Sequence, residues 1–313
     1  MTIKHYQAPK FQWSFIYNPK YWPLWILLGV LYAITWLPYA MQMWLGKQLG
    51  RLLYKLVKSR RKIAARNIEL CFPDMSKQEQ DAIVKQTIEN TGIAMMETSM
   101  AWWWPNWRVN RISSFKGLEH LEKAKAEGKG VLLLAAHKLH LEMDGRIFGN
   151  SVPSVGFYRP HDNPLYEYFQ YHGRCRTNKY MVGKRNVKGL IASLNATEVC
   201  FYLPDQDYGR NRCEFVPFFA VEDTATTTGT LLFAADANCV VIPLISHRLP
   251  NNQGYELELQ PPFENFPSND PAADVTRVNQ WVEQAVLKDI SQYMWVHRRF
   301  KTQQDPDAPS RYK

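Results

Sequence analysis

Charge is absent from the chain between Lys20 and Lys47, where residues 21–46 read YWPLWILLGVLYAITWLPYAMQMWLG. A helix of about 20 apolar residues suffices to cross a bilayer, so this stretch is expected to be a membrane anchor. Trp22 and Trp25 stand near one end and Trp36, Tyr39 and Trp44 toward the other, as expected at lipid–water interfaces. Pro23 and Pro38 confine the uninterrupted apolar core to 24–37, so a tilted or re-entrant anchor is the second expectation. From 47 to 66 the period changes. Leu49, Leu52, Leu53, Leu56 and Val57 alternate at helical spacing with Lys47, Arg51, Lys55 and Lys58, a basic amphipathic helix.

Further along, helical and strand patterns alternate. Helices are expected at 77–100, 118–127, 141–148 and 164–173. Strands are expected at 131–136, 152–158, 199–203 and 240–246, with an exposed strand at 255–262. Thr224 and Thr226 to Thr228 read as an N-cap signal before an Ala-rich helix. A last long helix is expected over 271–296, and 302–313 as a polar, flexible tail. The pattern predicts an α/β fold, a mixed sheet flanked by helices, preceded by a membrane anchor. The expected divisions are a tail at 1–20, the anchor at 21–46, the basic helix at 47–66, an α/β domain at 67–301 and the tail at 302–313.

Composition sharpens the N-terminal reading. Residues 1–68 hold eleven of the 38 Lys and Arg residues and no Asp or Glu, so the net charge of +9 is local. Most of these cations follow the apolar stretch, which puts its C-terminal side in the cytoplasm by the positive-inside bias. An anionic membrane surface is the expected partner, with nucleic acid set aside because the charge abuts an apolar segment. The five cysteines, Cys71, Cys175, Cys200, Cys213 and Cys239, form no metal-binding spacing and read as reduced. Four tryptophans crowd into AWWWPNW, 101–107, either as core or as a lipid-contacting lip.

Candidate chemistry lies at expected strand ends. His137 follows the apolar run 131–136, and Glu142 follows five residues later. On one helix that step is 140° net, so the two can meet only if His137 lies in the strand-to-helix turn. A carboxylate beside an imidazole fixes its tautomer and prepares the other nitrogen to take a proton. The plain alternative is a surface histidine and glutamate at a helix start. Arg159 ends the strand at 152–158, and Arg174 and Arg176 follow the next helix; guanidinium groups of this kind hold phosphate or pair with a carboxylate. Asp205 and Asp207 follow the strand at 199–203. Two carboxylates without a third ligand are a weak metal signal, so they read as active-site wall or structural turn. No glycine-rich phosphate loop and no Gly-x-Ser-x-Gly elbow is present. No cofactor and no metal is expected.

In order along the chain occur GKGVLLLAAH, HKLHLEMDGRIFG, FYRPHDNPLYEYF, GRCRTNK, YLPDQDYG, FVPFFAVEDTATTTGTLLFAADANCVVIP and QYMWVHRRFKT. Together they resemble the late acyltransferases of lipid A biosynthesis, the lauroyl and myristoyl transferases, over roughly 20–305. The most specific parts are His-x4-Glu, YRPHDNPL, PDQDYG and HRRFKT. The residues after the histidine, usually aromatic or small in that family, are Lys138 and His140 here, which bears on pocket shape and chain preference. The resemblance implies a glycerolphosphate-acyltransferase-like fold at the inner membrane, its catalytic domain facing the cytoplasm. It implies transfer of a fatty chain from acyl-carrier protein to a hydroxyacyl chain of a Kdo-lipid A precursor. It further implies His137 as base with Glu142 as its partner, and Arg159, Arg174, Arg176, Asp205 and Asp207 on the substrate. Another glycolipid or phospholipid acyltransferase with the same dyad is an alternative. So is a non-catalytic protein bound to the membrane surface.

Overall fold

The computed structural model describes residues 6–312. Helices come first: α1 (Ser14–Tyr17), α2 (Trp22–Ile34), α3 (Tyr39–Leu56), α4 (Lys58–Cys71), the long α5 (Lys77–Trp103) and the short α6 (Asn106–Asn110). An alternating run follows: β1 (Ser113–Lys116), α7 (Glu119–Ala126), β2 (Gly130–Ala135), α8 (Leu141–Ser151), β3 (Val155–Tyr158), α9 (Pro164–Arg174), β4 (Tyr180–Gly183), α10 (Val187–Asn195) and β5 (Val199–Tyr202). A ribbon of β6 (Cys213–Phe218) and β7 (Val221–Thr227) precedes α11 (Gly229–Asp236), β8 (Cys239–Arg248), β9 (Tyr255–Leu259) and α12 (Pro271–Leu287). Seven strands make one sheet in the order β1-β9-β8-β2-β5-β3-β4, parallel except between β8 and β9.

β2 lies at the centre, and the period-two geometry of a strand divides its residues between two cores. Leu132 and Leu134 face one helical layer with Leu190, Val278 and Val282. Val131 and Leu133 face the other with Met100, Met143 and Ile147. Helices therefore cover both faces, as parallel sheets require. The mixed α/β sheet flanked by helices that the pattern predicts is the observed architecture.

No single helix runs through 21–46. The apolar stretch is cut into α2 and α3 by a turn, and no helix among the described residues is long and apolar enough to cross a membrane. Pro38 disfavours helix in the residue before it. The carbonyls freed at the turn are taken by the protein: Thr35 accepts from Trp104 Nε1 (2.7 Å), Arg108 (2.7 Å) and Gln42 (3.0 Å), and Leu37 accepts from Arg108 (2.7 Å) and Gln42 (2.8 Å). The expected anchor is thus two helices joined by a turn and fastened to the body. α3 packs on α5 through glycines at a backbone-close crossing: a Cβ on Gly50 would stand 2.4 Å from Glu89 Cα. The basic helix expected at 47–66 also breaks, at Val57, between α3 and α4.

Other expectations change in detail. Residues 1–5 of the expected N-terminal tail lie outside the described residues, but Tyr6 packs edge-to-face on Tyr158 and Phe15 is buried. Thr224 and Thr226 belong to β7, and Thr228 binds the Arg212 carbonyl instead of capping α11. The strand at β9 is covered by β1 on one side and β8 on the other, and it buries Tyr255, Leu257 and Leu259. The last helix ends at Leu287, because Asp289 turns extended and caps a 3₁₀ turn over Ile290–Gln292. The tail at 302–312 is tied down: Tyr312 donates its hydroxyl to Asn67, and Arg311 pairs with Asp223.

Candidate active site

The parallel strands end on one side of the sheet, and the candidate residues sit there, as ligand sites in α/β sheets do. His137 follows β2, Asp205 follows the adjacent β5, and Arg159 follows β3. The His137 Nδ1 lies 2.6 Å from Asp205 Oδ1, and the His137 backbone N–H donates to Asp205 Oδ2 at 2.8 Å. Asp205 is wholly buried and His137 reaches the surface of a cleft. Burial pushes the Asp205 carboxyl up, but the charge and hydrogen bonds of His137, with the Tyr293 hydroxyl, more than offset it and hold the group below its usual range. With Nδ1 engaged, Nε2 is the nitrogen left for a ligand.

The turn that carries His137 is braced from the segment after α12. Leu139 N–H donates to the Gln292 carbonyl (2.8 Å), and Met294 N–H donates to the His137 carbonyl (3.0 Å). The early end of the last helix is what frees this segment to pair with Lys138 through Tyr293.

Glu142 sits in the first turn of α8, and its carboxylate is engaged away from His137. It accepts from Arg174 Nε at 3.1 and 3.2 Å, from Arg174 Nη2, and from Trp102 Nε1 at 3.3 Å. His137 and Glu142 line the same cleft of about 770 Å³ without a hydrogen bond between them. The cleft also has apolar walls, among them Leu141, Phe157, Val187, Leu232 and Phe233. It combines an imidazole with space for an apolar ligand. Among the described residues, no serine or cysteine lines it.

A family model for bacterial lipid A biosynthesis acyltransferases matches residues 8–302. The chain belongs to that family. It is 42% identical to the lipid A biosynthesis lauroyltransferase of Escherichia coli K12, over 97% of this chain and 99% of that one. It is 38% identical to the lipid A biosynthesis palmitoleoyltransferase of the same organism, over 94% and 95% of the two chains. A 1-acyl-sn-glycerophosphate acyltransferase from Thermotoga maritima, at 10% identity, matches 80% of this chain and 97% of its own, with a TM-score of 0.37. This protein is therefore a lipid A biosynthesis acyltransferase, and the reading as a non-catalytic membrane-binding protein is set aside.

In this acyltransferase the remaining sequence candidates divide. Arg159 is exposed beside the cleft, facing Asp162 at 3.2 Å. Arg174 is the partner of Glu142; burial works against its charge, and the Glu142 carboxylate more than restores it, so its pKa is raised. Arg176 donates to the Trp102 carbonyl (2.6 Å), at the C-terminal end of α5. Asp207 closes a turn and binds the tail, accepting from Gly209 N–H (2.9 Å), Thr302 N–H (2.7 Å) and the Thr302 hydroxyl (2.9 Å). Of the candidates, the fold brings His137 and Asp205 together, and Glu142 and Arg174.

His140 is excluded as a base by its surroundings. It is fully buried, with Nδ1 2.9 Å from Asp144 and Nε2 3.0 Å from Gln292 Oε1, so neither nitrogen is open to a substrate. Two site residues escaped the sequence reading. Tyr293 underlies Asp205, and His297, from HRRFKT, lines the cleft beside His137. Burial and the neighbouring His137 keep the His297 imidazole below its usual pKa. The resemblance of HRRFKT to the family was a signal for this segment, but nothing local linked it to the histidine turn.

Proposed function

We propose that this acyltransferase moves a lauroyl or myristoyl chain from an acyl-carrier-protein thioester to the hydroxyl of a hydroxyacyl chain on a Kdo-lipid A precursor. The observation that carries the reading is the His137 imidazole, clamped through Nδ1 by Asp205 and open to an apolar-walled cleft. In the proposed step, His137 Nε2 takes the hydroxyl proton as the oxygen attacks the thioester carbonyl. The tetrahedral intermediate collapses, the carbon–sulfur bond breaks, and the proton on His137 passes to the departing thiolate. Asp205 holds the tautomer and stabilises the imidazolium between the two transfers. Direct attack fits a cleft lined by no serine or cysteine. Glu142 and Arg174 act as a neutralised pair that joins α8 to α9 and shapes the wall. Each buried methylene contributes about 0.8 kcal/mol, so the apolar walls set the chain length accepted.

The bilayer is the proposed support. Trp13, Trp22, Ile26, Val30, Trp36 and Trp44 are exposed on α2, on α3, in the turn between them and in the segment before them. Such a surface suits a pair of helices lying in the cytoplasmic face of the inner membrane, with Lys55, Lys58 and Arg60 toward anionic headgroups.

The test is acyl transfer by purified protein, supplied with lauroyl-, myristoyl- or palmitoleoyl-carrier protein and a Kdo-lipid A precursor. Mass spectrometry of the product reads the added chain. A single added lauroyl or myristoyl group agrees with the reading. Exclusive use of palmitoleoyl, or of a phospholipid acceptor, contradicts it.

A further inference from the structure

One lip of the cleft carries cations that the protein itself leaves unneutralised. Lys184 and Arg185 follow the end of β4, Lys188 stands in the first turn of α10, and Arg212 precedes β6. Lys184 and Arg212 line the cleft, as does Val187, which lies between Arg185 and Lys188 in the chain. All four cations are exposed. The sequence contains no Asp or Glu between Glu167 and Glu198, so this stretch supplies no local counter-charge.

Other basic side chains around the cleft are engaged. Arg159 faces Asp162, Arg174 binds Glu142, Lys179 pairs with Glu198, and Arg210 donates to the carbonyls of Gln303 and Gln304. Among the described residues, no ion pair involves Lys184, Arg185, Lys188 or Arg212. The placement of Lys188 is also unfavourable for the fold. The first turn of a helix carries partial positive charge and favours Asp or Glu, yet α10 has none there and has Lys188 instead. A solvated lysine face gains nothing from that position; an anionic partner does.

We propose that Lys184, Arg185, Lys188 and Arg212 form the docking lip for an acidic carrier protein. This rests on the donor reading above. A carrier seated here presents its thioester arm beside Val187, at the apolar wall that leads toward His137. A soluble protein fits the lip better than a membrane does. The exposed apolar and aromatic side chains are concentrated between Phe11 and Leu56, and 184–188 carries no large exposed one. Rim charges of this kind act mainly on encounter rate and specificity, and their effect is screened by salt.

The experiment compares two donors of the same acyl chain, the acyl-carrier protein and the corresponding acyl-pantetheine thioester. The variant is Arg185→Glu with Lys188→Glu, two residues that do not line the cleft. The expected result is a ten- to hundredfold fall in kcat/KM for the carrier-protein donor, with much weaker salt dependence than wild type. The rate from acyl-pantetheine stays within about twofold, and circular dichroism is unchanged. An equal loss with both donors, or no loss with the carrier, overturns the proposal. So does a loss that appears as a raised KM for the lipid acceptor, which would make the lip a site for its phosphates. If wild-type enzyme accepts acyl-coenzyme A but no acyl-carrier protein, the donor reading itself falls.

Discussion

The carboxylate of Asp205 grips His137 at two points, the ring Nδ1 at 2.6 Å and the backbone N–H at 2.8 Å. Two contacts from one buried group fix both the position of the strand-end turn and the plane of the imidazole. A carboxylate in that position accepts a hydrogen bond from Nδ1–H, which leaves Nε2 as the basic nitrogen. The arrangement depends on strand order, because β2 and β5 are neighbours in the sheet.

Glu142 and Arg174 behave in this account as one element of the cleft wall. Glu142→Ala leaves a half-buried guanidinium without its partner, and a destabilisation of about 1–3 kcal/mol is expected after allowance for solvent screening. Arg174→Ala has a similar cost, and the double variant loses less than the sum. Thermal unfolding of the four proteins measures this coupling. Strict additivity in Tm would mean that the pair does not act as a unit.

Lys138 is buried, with its ammonium 2.6 Å from the Ala285 carbonyl. Burial pulls its pKa down to about 8, against the opposing pull of Asp289, Asp144 and Asp205. The unfolded chain then binds more protons than the folded one between about pH 8 and 10.5, so this group makes stability rise with pH across that window. Below it, the buried charge costs on the order of 3 kcal/mol. Lys138→Met removes the charge and keeps the volume. It should stabilise the protein at neutral pH by about 1–3 kcal/mol and flatten the rise in stability between pH 8 and 10.5. Denaturant titrations at pH 7, 8.5 and 10 give the answer. A lower stability at pH 7 with the slope intact would contradict this description of Lys138.

Ile26 and Val30 are exposed on α2, one turn apart. If this face lies in lipid, Ile26→Asp with Val30→Asp should move much of the protein from the membrane pellet to the supernatant while preserving its circular dichroism. Wild type should stay in the pellet in high salt, since buried apolar area and not charge would dominate attachment. Release of wild type by salt alone would overturn the proposed role of α2 and α3.

The sequence pattern carried the class of fold and the strand-end positions of the site, because alternation and short apolar runs record which residues face a core. It could not carry sheet order. Asp205 was legible as a strand-end acid, and His137 as a turn histidine, but only the adjacency of β2 and β5 makes them partners. Proximity in the chain favoured Glu142 instead, and its true partner, Arg174, lies on another helix. The break in the expected span has a related cause. Hydropathy along 21–46 is uniform, while the turn at 35–38 is stabilised by Trp104 and Arg108, far away in sequence. The buried lysine and histidine after the strand, Lys138 and His140, likewise each reach a partner beyond residue 280, at Ala285 and Gln292.

The central claim is that His137 is the base and Asp205 its orienting partner. A double-mutant cycle on the initial rate of acyl transfer tests it most directly, using wild type, His137→Ala, Asp205→Asn and the double variant, each verified as folded. Asn at 205 donates where the carboxylate accepts, which favours the wrong tautomer and leaves the imidazolium without a counter-charge. Each single variant should lose roughly 10²–10⁴-fold in kcat. If the two act as one unit, the double variant should be hardly slower than His137→Ala alone. Near-wild-type turnover by His137→Ala, or losses that multiply in the double variant, would contradict the account.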